Sequence, residues 1–238
     1  MLKNLKITLL AVAAVMAAAM ASCFGDDNNT GGGTLPPDNT FYSFATYNGT
    51  SGSVSSFDVQ RPGDGTPATI TFNMAFTDAQ LKAGTRVYIA YTTASGQQYQ
   101  SGPGTLYSVT KVDGGVPVPA TESNSPGLST PVKMDEMTRT GDYLNMVFRM
   151  SAVNNLTHLQ LTEKDNTKDP AYPILGLYVL TDSEDGTYKY FRASFDIEDV
   201  LEPAEVKGVK VAYFGDNGID TLTFVKSNAG TIVPTPND

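Results

Sequence analysis

The chain has 238 residues, with 16 Lys plus Arg against 25 Asp plus Glu, a formal net charge of −9, one histidine, one cysteine and no tryptophan. An acidic surface repels phosphate backbones, whose binding depends on Lys and Arg neutralising them, so nucleic acid is excluded as a partner. A single cysteine allows no internal disulfide, and together with one histidine it leaves almost none of the usual zinc ligands.

The first element is not part of a fold. Lys3 and Lys6 precede Ile7 to Met20, an apolar run of fourteen residues interrupted only by Thr8. A transmembrane helix needs about 20 apolar residues. The charged start and short apolar middle read as a secretory signal peptide over residues 1–22. Met20-Ala21-Ser22-Cys23 sets small residues in front of the only cysteine. This is the lipobox arrangement, in which a diacylglycerol is attached to the thiol and the chain is cut before it, although Leu is usual where Met20 stands. Ordinary secretion would leave Cys23 a spare thiol and its placement unexplained. The reading is therefore lipid attachment at Cys23, with the membrane as a partner through the anchor and no cofactor beyond the lipid. Two or three acyl chains hold a protein stably at a bilayer where one does not.

Cleavage removes two lysines and no acids, leaving 14 basic against 25 acidic side chains and a net charge of −11. Residues 23–39 follow as a tether, acidic at Asp26 and Asp27 and then rich in Gly and Pro, with too little apolar surface to order itself. A coil from Cys23 to Asn39 spans roughly 22 Å on average. The acidic pair just past the cysteine resembles a signal for export to the outer face of the outer membrane. The expected location is an outer-membrane lipoprotein exposed at the cell surface, with a periplasm-facing form as the alternative.

From Phe41 onward the dominant pattern is alternation, the period of half-buried strands. Ile70, Phe72, Met74 and Phe76 share one face of "TITFNMAF", and Val87, Ile89 and Tyr91 share one face of "RVYIAYTT". Between them "TDAQLKAG" reads as a single helical turn capped at Thr77 or Asp78 and ended at Gly84. Farther on, Leu144, Met146, Phe148 and Met150 lie opposite Asn145 and Arg149. Phe191, Ala193, Phe195 and Ile197 repeat the arrangement, then Val209, Val211 and Tyr213, then Leu222 and Phe224. Asp64-Gly65, Asp113-Gly114, Asp185-Gly186 and Asn217-Gly218 supply turns. The protein is expected to be all-β. Residues 113–131 hold four prolines and three glycines and read as a linker. They separate a five-stranded β-barrel over 40–112 from an antiparallel β-sandwich over 132–226, with 227–238 a loose tail.

The chain offers little chemistry. His158 is the only base for a Ser-His arrangement, no Gly-x-Ser-x-Gly turn exists, and the pattern "THLQLT" puts His158 on a solvated face with Gln160 and Thr162. Asp182, Glu184 and Asp185, and Asp216 and Asp220, are oxygen-rich enough for calcium or a glycosidase pair. Each group also falls where two strands must reverse, so no metal or catalytic residue is assigned. Asp220-Thr221-Leu222 fits a loose O-glycosylation pattern, while Thr221 itself reads as the start of a strand.

Several stretches, "KAGTRVYIAY" at 82–91, "TGDYLNMVF" at 140–148, "HLQLTEKDN" at 158–166 and "RASFDIEDV" at 192–200, together with the lipobox and acidic tether, resemble the NigD-like bacterial lipoproteins. The resemblance implies an N-terminal OB-type barrel followed by a C-terminal β-sandwich. It implies no catalytic activity and no active-site residue, and its name comes from a bacteriocin-associated gene cluster. OB-type barrels bind ligands on a sheet face, where tyrosines serve as stacking platforms. Tyr88 is the ligand-contact candidate, because alternation turns it away from Val87, Ile89 and Tyr91. The leading expectation is a noncatalytic envelope lipoprotein that binds a protein partner. A glycan-binding accessory lipoprotein would show an exposed row of aromatics on one sheet, and a hydrolase would show two carboxylates in a cleft.

Overall fold

The computed structural model describes residues 36–62, 65–152, 156–164, 169–181, 187–226 and 231–232. The signal peptide, Cys23 and most of the tether lie outside these residues. Two compact units divide the chain, one made of the described residues up to Val59 with Thr69–Lys111, the other of 60–68 with the chain from Val112 onward.

The first unit is a closed barrel of five strands, β1 (Phe41–Ser51), β2 (Val54–Val59), β3 (Ala68–Phe72), β4 (Arg86–Thr93) and β5 (Gly102–Lys111), in the order β1-β2-β3-β5-β4. β1 closes it by pairing twice. Phe41–Thr46 lie antiparallel to Arg86–Tyr91, and Ala45–Ser51 lie antiparallel to Val54–Val59, with a bulge at Asn48 that turns the strand from one partner to the other. β3 and β5 run parallel. The inward face is aromatic: Phe57 sits 5.0 Å from Tyr47 and 5.4 Å from Phe72, and Phe72 lies 6.1 Å from Tyr91, ring centre to ring centre. These tilted and edge-on pairs use the ring quadrupole and fill the interior without disulfides. The strand expected over 69–76 leaves the sheet after Phe72, yet Phe76 returns to the core, 5.8 Å from Tyr47. The single helical turn is present: Leu81 N–H donates to the Thr77 carbonyl, and the Gln80 side chain accepts from the Thr77 N–H, half of a capping box. Gly84 ends it at φ +86°, the left-handed region that favours glycine.

The second unit stacks two sheets. One has the order β14-β13-β11-β10-β7, from β7 (Val118–Pro119), β10 (Leu156–Glu163), β11 (Ile174–Thr181), β13 (Gly208–Gly215) and β14 (Gly218–Val225). The other has the order β15-β8-β9-β12-β6, from β6 (Asp113–Gly115), β8 (Lys133–Thr140), β9 (Tyr143–Ala152), β12 (Thr187–Asp196) and β15 (Thr231–Ile232). The alternating residues read from the sequence form the core between them, with Leu144, Met146, Phe148, Met150 and Ala193 of one sheet against Leu161, Leu175, Val179, Val209 and Val211 of the other. A short helix, α1 (Glu198–Leu201), adds Val200 and Leu201.

Residues 113–131 differ from the expected linker: they are built into this unit. β6 runs parallel to β12, and Gly114 comes so near the Ser194 backbone that a Cβ there would stand 1.8 Å from the Ser194 carbonyl oxygen. Only glycine permits that approach. Pro119 sits on a two-residue edge strand, where its missing N–H costs no ladder bond. Ser129 Oγ donates to the Leu177 carbonyl at 3.1 Å and accepts from Val179 N–H at 3.1 Å. Glycine and proline here signal close packing and edge positions, not freedom. Within the tail read as loose, Thr231–Ile232 pair with Met137 and Thr138 of β8.

One side chain ties the sheets together. Arg139 of β8 is 1% exposed, and its guanidinium donates to the carbonyls of Gly141 at 2.6 Å, Val225 at 3.3 Å and Lys226 at 2.7 Å. Val225 ends β14, in the opposite sheet. Replacing Arg139 by Met keeps the volume but strips the donor from three part-buried carbonyls, each worth about 1–3 kcal/mol when left unsatisfied. We expect a loss of about 3–5 kcal/mol, read as a lower urea midpoint, with Arg139→Lys falling between.

Tyr91, wholly buried in the barrel, donates its hydroxyl to the Gln98 carbonyl at 2.8 Å. Burial pushes its pKa up to about 12 from the usual 10.0. The folded state therefore holds this proton where the unfolded chain releases it, so the contribution of Tyr91 to stability is fully present below pH 10 and is lost as pH rises through about 12. Melting temperatures between pH 8 and pH 12 should fall less steeply in Tyr91→Phe than in the wild type.

Candidate functional site

Of the sequence candidates, Cys23, Asp26, Asp27, Asp182, Glu184 and Asp185 lie outside the described residues. His158 is exposed on β10, with its ring 6.2 Å from that of Tyr178 and no hydrogen bond among the described residues. Asp216 is exposed in the β13–β14 turn. Asp220 pairs in register with Tyr213, whose pKa is raised by burial first and then by this carboxylate. Thr221 is exposed in the middle of β14, opposite Ala212, rather than at its start. Among the described residues no three His, Cys, Asp or Glu side chains gather as metal ligands.

Tyr88 does face outward, but it stands within a cluster. Phe44, its partner across β1, packs edge-on at 5.0 Å, and the ring of Tyr42, 53% exposed, stacks at 6.4 Å. Phe44 covers one part of Tyr88 and Tyr42 another. The open ring on this wall is Tyr42, and Tyr88 supports it.

A second group of outward side chains escaped the sequence reading. On β12 the core parity of Ala193 and Phe195 turns Tyr188, Tyr190, Arg192 and Ser194 to the other face. The register places Tyr190 beside Arg149 of β9, and Arg149 beside Lys133 of β8. Tyr188 is 63% and Tyr190 52% exposed. Arg149 grips Asp135 with both arms of its fork, Nε to Oδ2 at 2.8 Å and Nη2 to Oδ1 at 2.7 Å, and holds its guanidinium 5.3 Å from the centre of the Tyr190 ring. The hydrogen bonds to Asp135 push the pKa of Arg149 still higher, against a weaker opposing effect of burial. The register bulge of β8 falls at Asp135, between Met134 and Glu136, and re-aims that carboxylate. Parity alone would have pointed to Tyr188 and Tyr190 together; the pairing of Arg149 with Asp135 needs the bulge, for which the sequence carries no sign.

Toward the far end of the same face the side chains are polar but closed off. Asn145, expected on a solvated face, is 1% exposed; its amide donates to Thr140 Oγ1 at 2.7 Å and its carbonyl accepts from Ser194 Oγ at 2.7 Å. This chain starts at the two-residue turn Gly141-Asp142 of "TGDYLNMVF", the most distinctive stretch of the sequence. The face thus has a buried polar end and an open aromatic end. Asn145→Ala removes both bonds of the buried end, and a loss of about 1–3 kcal/mol in urea unfolding is expected.

No protein-family model and no curated protein matches the chain. Solved structures share its fold. A protein of unknown function, DUF1344, from Bacteroides vulgatus superposes with a TM-score of 0.62 at 21% identity, over 80% of this chain and 92% of its own. A NigD-like immunity protein from Bacteroides caccae gives 0.55 at 16% identity, over 82% and 98%. A candidate lipoprotein from Bacteroides fragilis gives 0.51 at 12% identity, over 78% and 96%. The resemblance to NigD-like proteins read from the sequence is thus matched by a shared fold over about four-fifths of the chain.

Proposed function

We propose that this protein is a noncatalytic lipoprotein of the bacterial envelope, held by a lipid on Cys23, whose two β units form a binding module. The observation that carries this reading is the fold shared with a NigD-like immunity protein along nearly that protein's whole length. The lipobox and acidic tether in the sequence, and a lipoprotein among the structures of like fold, support the anchored form. The exposed surfaces suit binding: both open aromatic groups sit on rigid strands, not on loops that would first have to be ordered. An immunity role, by binding a bacteriocin or a component that a bacteriocin attacks, follows the name of the NigD-like relative.

The test is lipid labelling with an alkyne fatty acid and protease shaving of intact cells. Labelling is expected in the wild type and should vanish in Cys23→Ala. Shaving should remove the wild type but spare the protein with Asp26 and Asp27 changed to Asn. Labelling that persists without Cys23 defeats the anchor, and a labelled protein protected from protease in every form moves its partners to the periplasm.

A further inference from the structure

We infer that the open end of the β8–β9–β12 face, built from Tyr188, Tyr190, Arg149 and Asp135, is a binding site for a neutral polysaccharide. The inference rests on the binding-module reading above and names its ligand class.

The charge pattern selects the class. Arg149 and Asp135 are joined by two hydrogen bonds and stand side by side at the surface, each side chain 28% exposed. An anionic ligand drawn to the guanidinium or to Lys133, the exposed cross-strand neighbour of Arg149, meets the Asp135 carboxylate as well, and a cation drawn to that carboxylate meets both cations. A neutral ligand that carries both donors and acceptors satisfies the remaining lone pairs and N–H groups of the fork together. Sugar hydroxyls do this, and a pyranose also presents a flat C–H face that stacks on an aromatic ring. Tyr188 and Tyr190 offer such rings on one strand, two residues apart, with their attachment points about 6.7 Å from each other along the strand. Two platforms in line fit a chain of sugar units better than a single one. Arg149, fixed against Tyr190 at 5.3 Å, holds the polar part of the site in place before a ligand arrives.

Another cation, carboxylate and tyrosine group shows what distinguishes this one. Lys210 pairs with Asp169 at 2.8 Å and lies 5.5 Å from the ring centre of Tyr172, but Tyr172 is only half exposed. That group lacks the open rings. On the barrel, Tyr42 is as open as Tyr190, yet its ring stacks on Tyr88 rather than on the guanidinium of an ion pair.

The experiment applies purified full-length protein, in a detergent without a sugar headgroup, to surfaces coated with a neutral glucan, mannan or xylan. Polygalacturonate serves as the acidic counterpart, denatured casein as a peptide, and isolated envelopes as a general partner surface. Retention on at least one neutral polysaccharide is expected, reduced roughly tenfold in Tyr188→Ala and in Tyr190→Ala, and unchanged in Ile219→Ala, an exposed β14 side chain on the other sheet. Asp135→Asn leaves Arg149 uncompensated and should gain retention on polygalacturonate. Tyr188, Tyr190 and Ile219 are exposed and Asp135 is partly so, and matching circular dichroism spectra will show that the variants fold. The assignment is overturned by wild-type binding that the two tyrosine variants leave intact, by a wild-type preference for polygalacturonate, or by retention on casein alone. Equal binding of envelopes by wild type and variants, without polysaccharide binding, overturns this site and leaves the binding module standing. Binding to none of the surfaces overturns both.

Discussion

A guanidinium buried between two sheets is costly unless its donors are met, and Arg139 stands where the sheets of the second unit come together. Arg139 survives there because its donors face carbonyls at the end of β14 and at the β8–β9 turn, positions where strands stop and ladder bonds run out. Strand ends leave such carbonyls open in any sandwich. Using one rigid fork to close three of them joins β8 to β14 by polar contacts, while the apolar faces between them supply non-directional cohesion. The face above, with Tyr190 beside Arg149 and Asn145 beside Ser194, is in register only as long as β8 and β9 are held in this position.

Much of this architecture was legible in the sequence. Alternation at Leu144–Met150, Ala193–Ile197 and Val209–Tyr213 identified the buried faces, because a half-buried strand must place its apolar side chains every second residue. Gly84 and Thr77 marked the helical turn between β3 and β4. The reading failed where composition stood in for geometry. Residues 113–131 looked like a linker because glycine and proline are common in linkers, but Gly114 is required by the backbone of Ser194, and that neighbour is some eighty residues away in sequence. No local pattern can report such an approach. Asn145 is similar: a polar residue at an outward position is solvated by default, and only the cross-strand register reveals that Thr140 and Ser194 satisfy it instead of water.

The candidate site was half visible for related reasons. Choosing Tyr88 followed from parity on β4, and its parity was right, but parity does not say whether Phe44 and Tyr42 cover the ring. On β12 the same rule would have separated Tyr188 and Tyr190 from the core, had the outward positions been given the weight of the inward ones. What distinguishes these rings is their neighbour: an Arg149–Asp135 pair that depends on a bulge at residue 135. Sites made across strands are legible only when the register is, and bulges are the place where the register is hardest to read.

The pairing of β6 with β12 also bears on when this protein becomes a folded object. All five barrel strands are complete once Lys111 has been made, so every barrel partner is then present. In the second unit, Asp113–Gly115 are synthesised next but wait for Ala193–Phe195, and the outer edge of β8 waits for Thr231–Ile232. Closing such long loops precedes the contacts that reward it, which makes the step slow. A chain emerging from its N-terminus therefore has a barrel with all its partners in hand while the edges of the sandwich remain unpaired until Ala193–Phe195 and Thr231–Ile232 have been made.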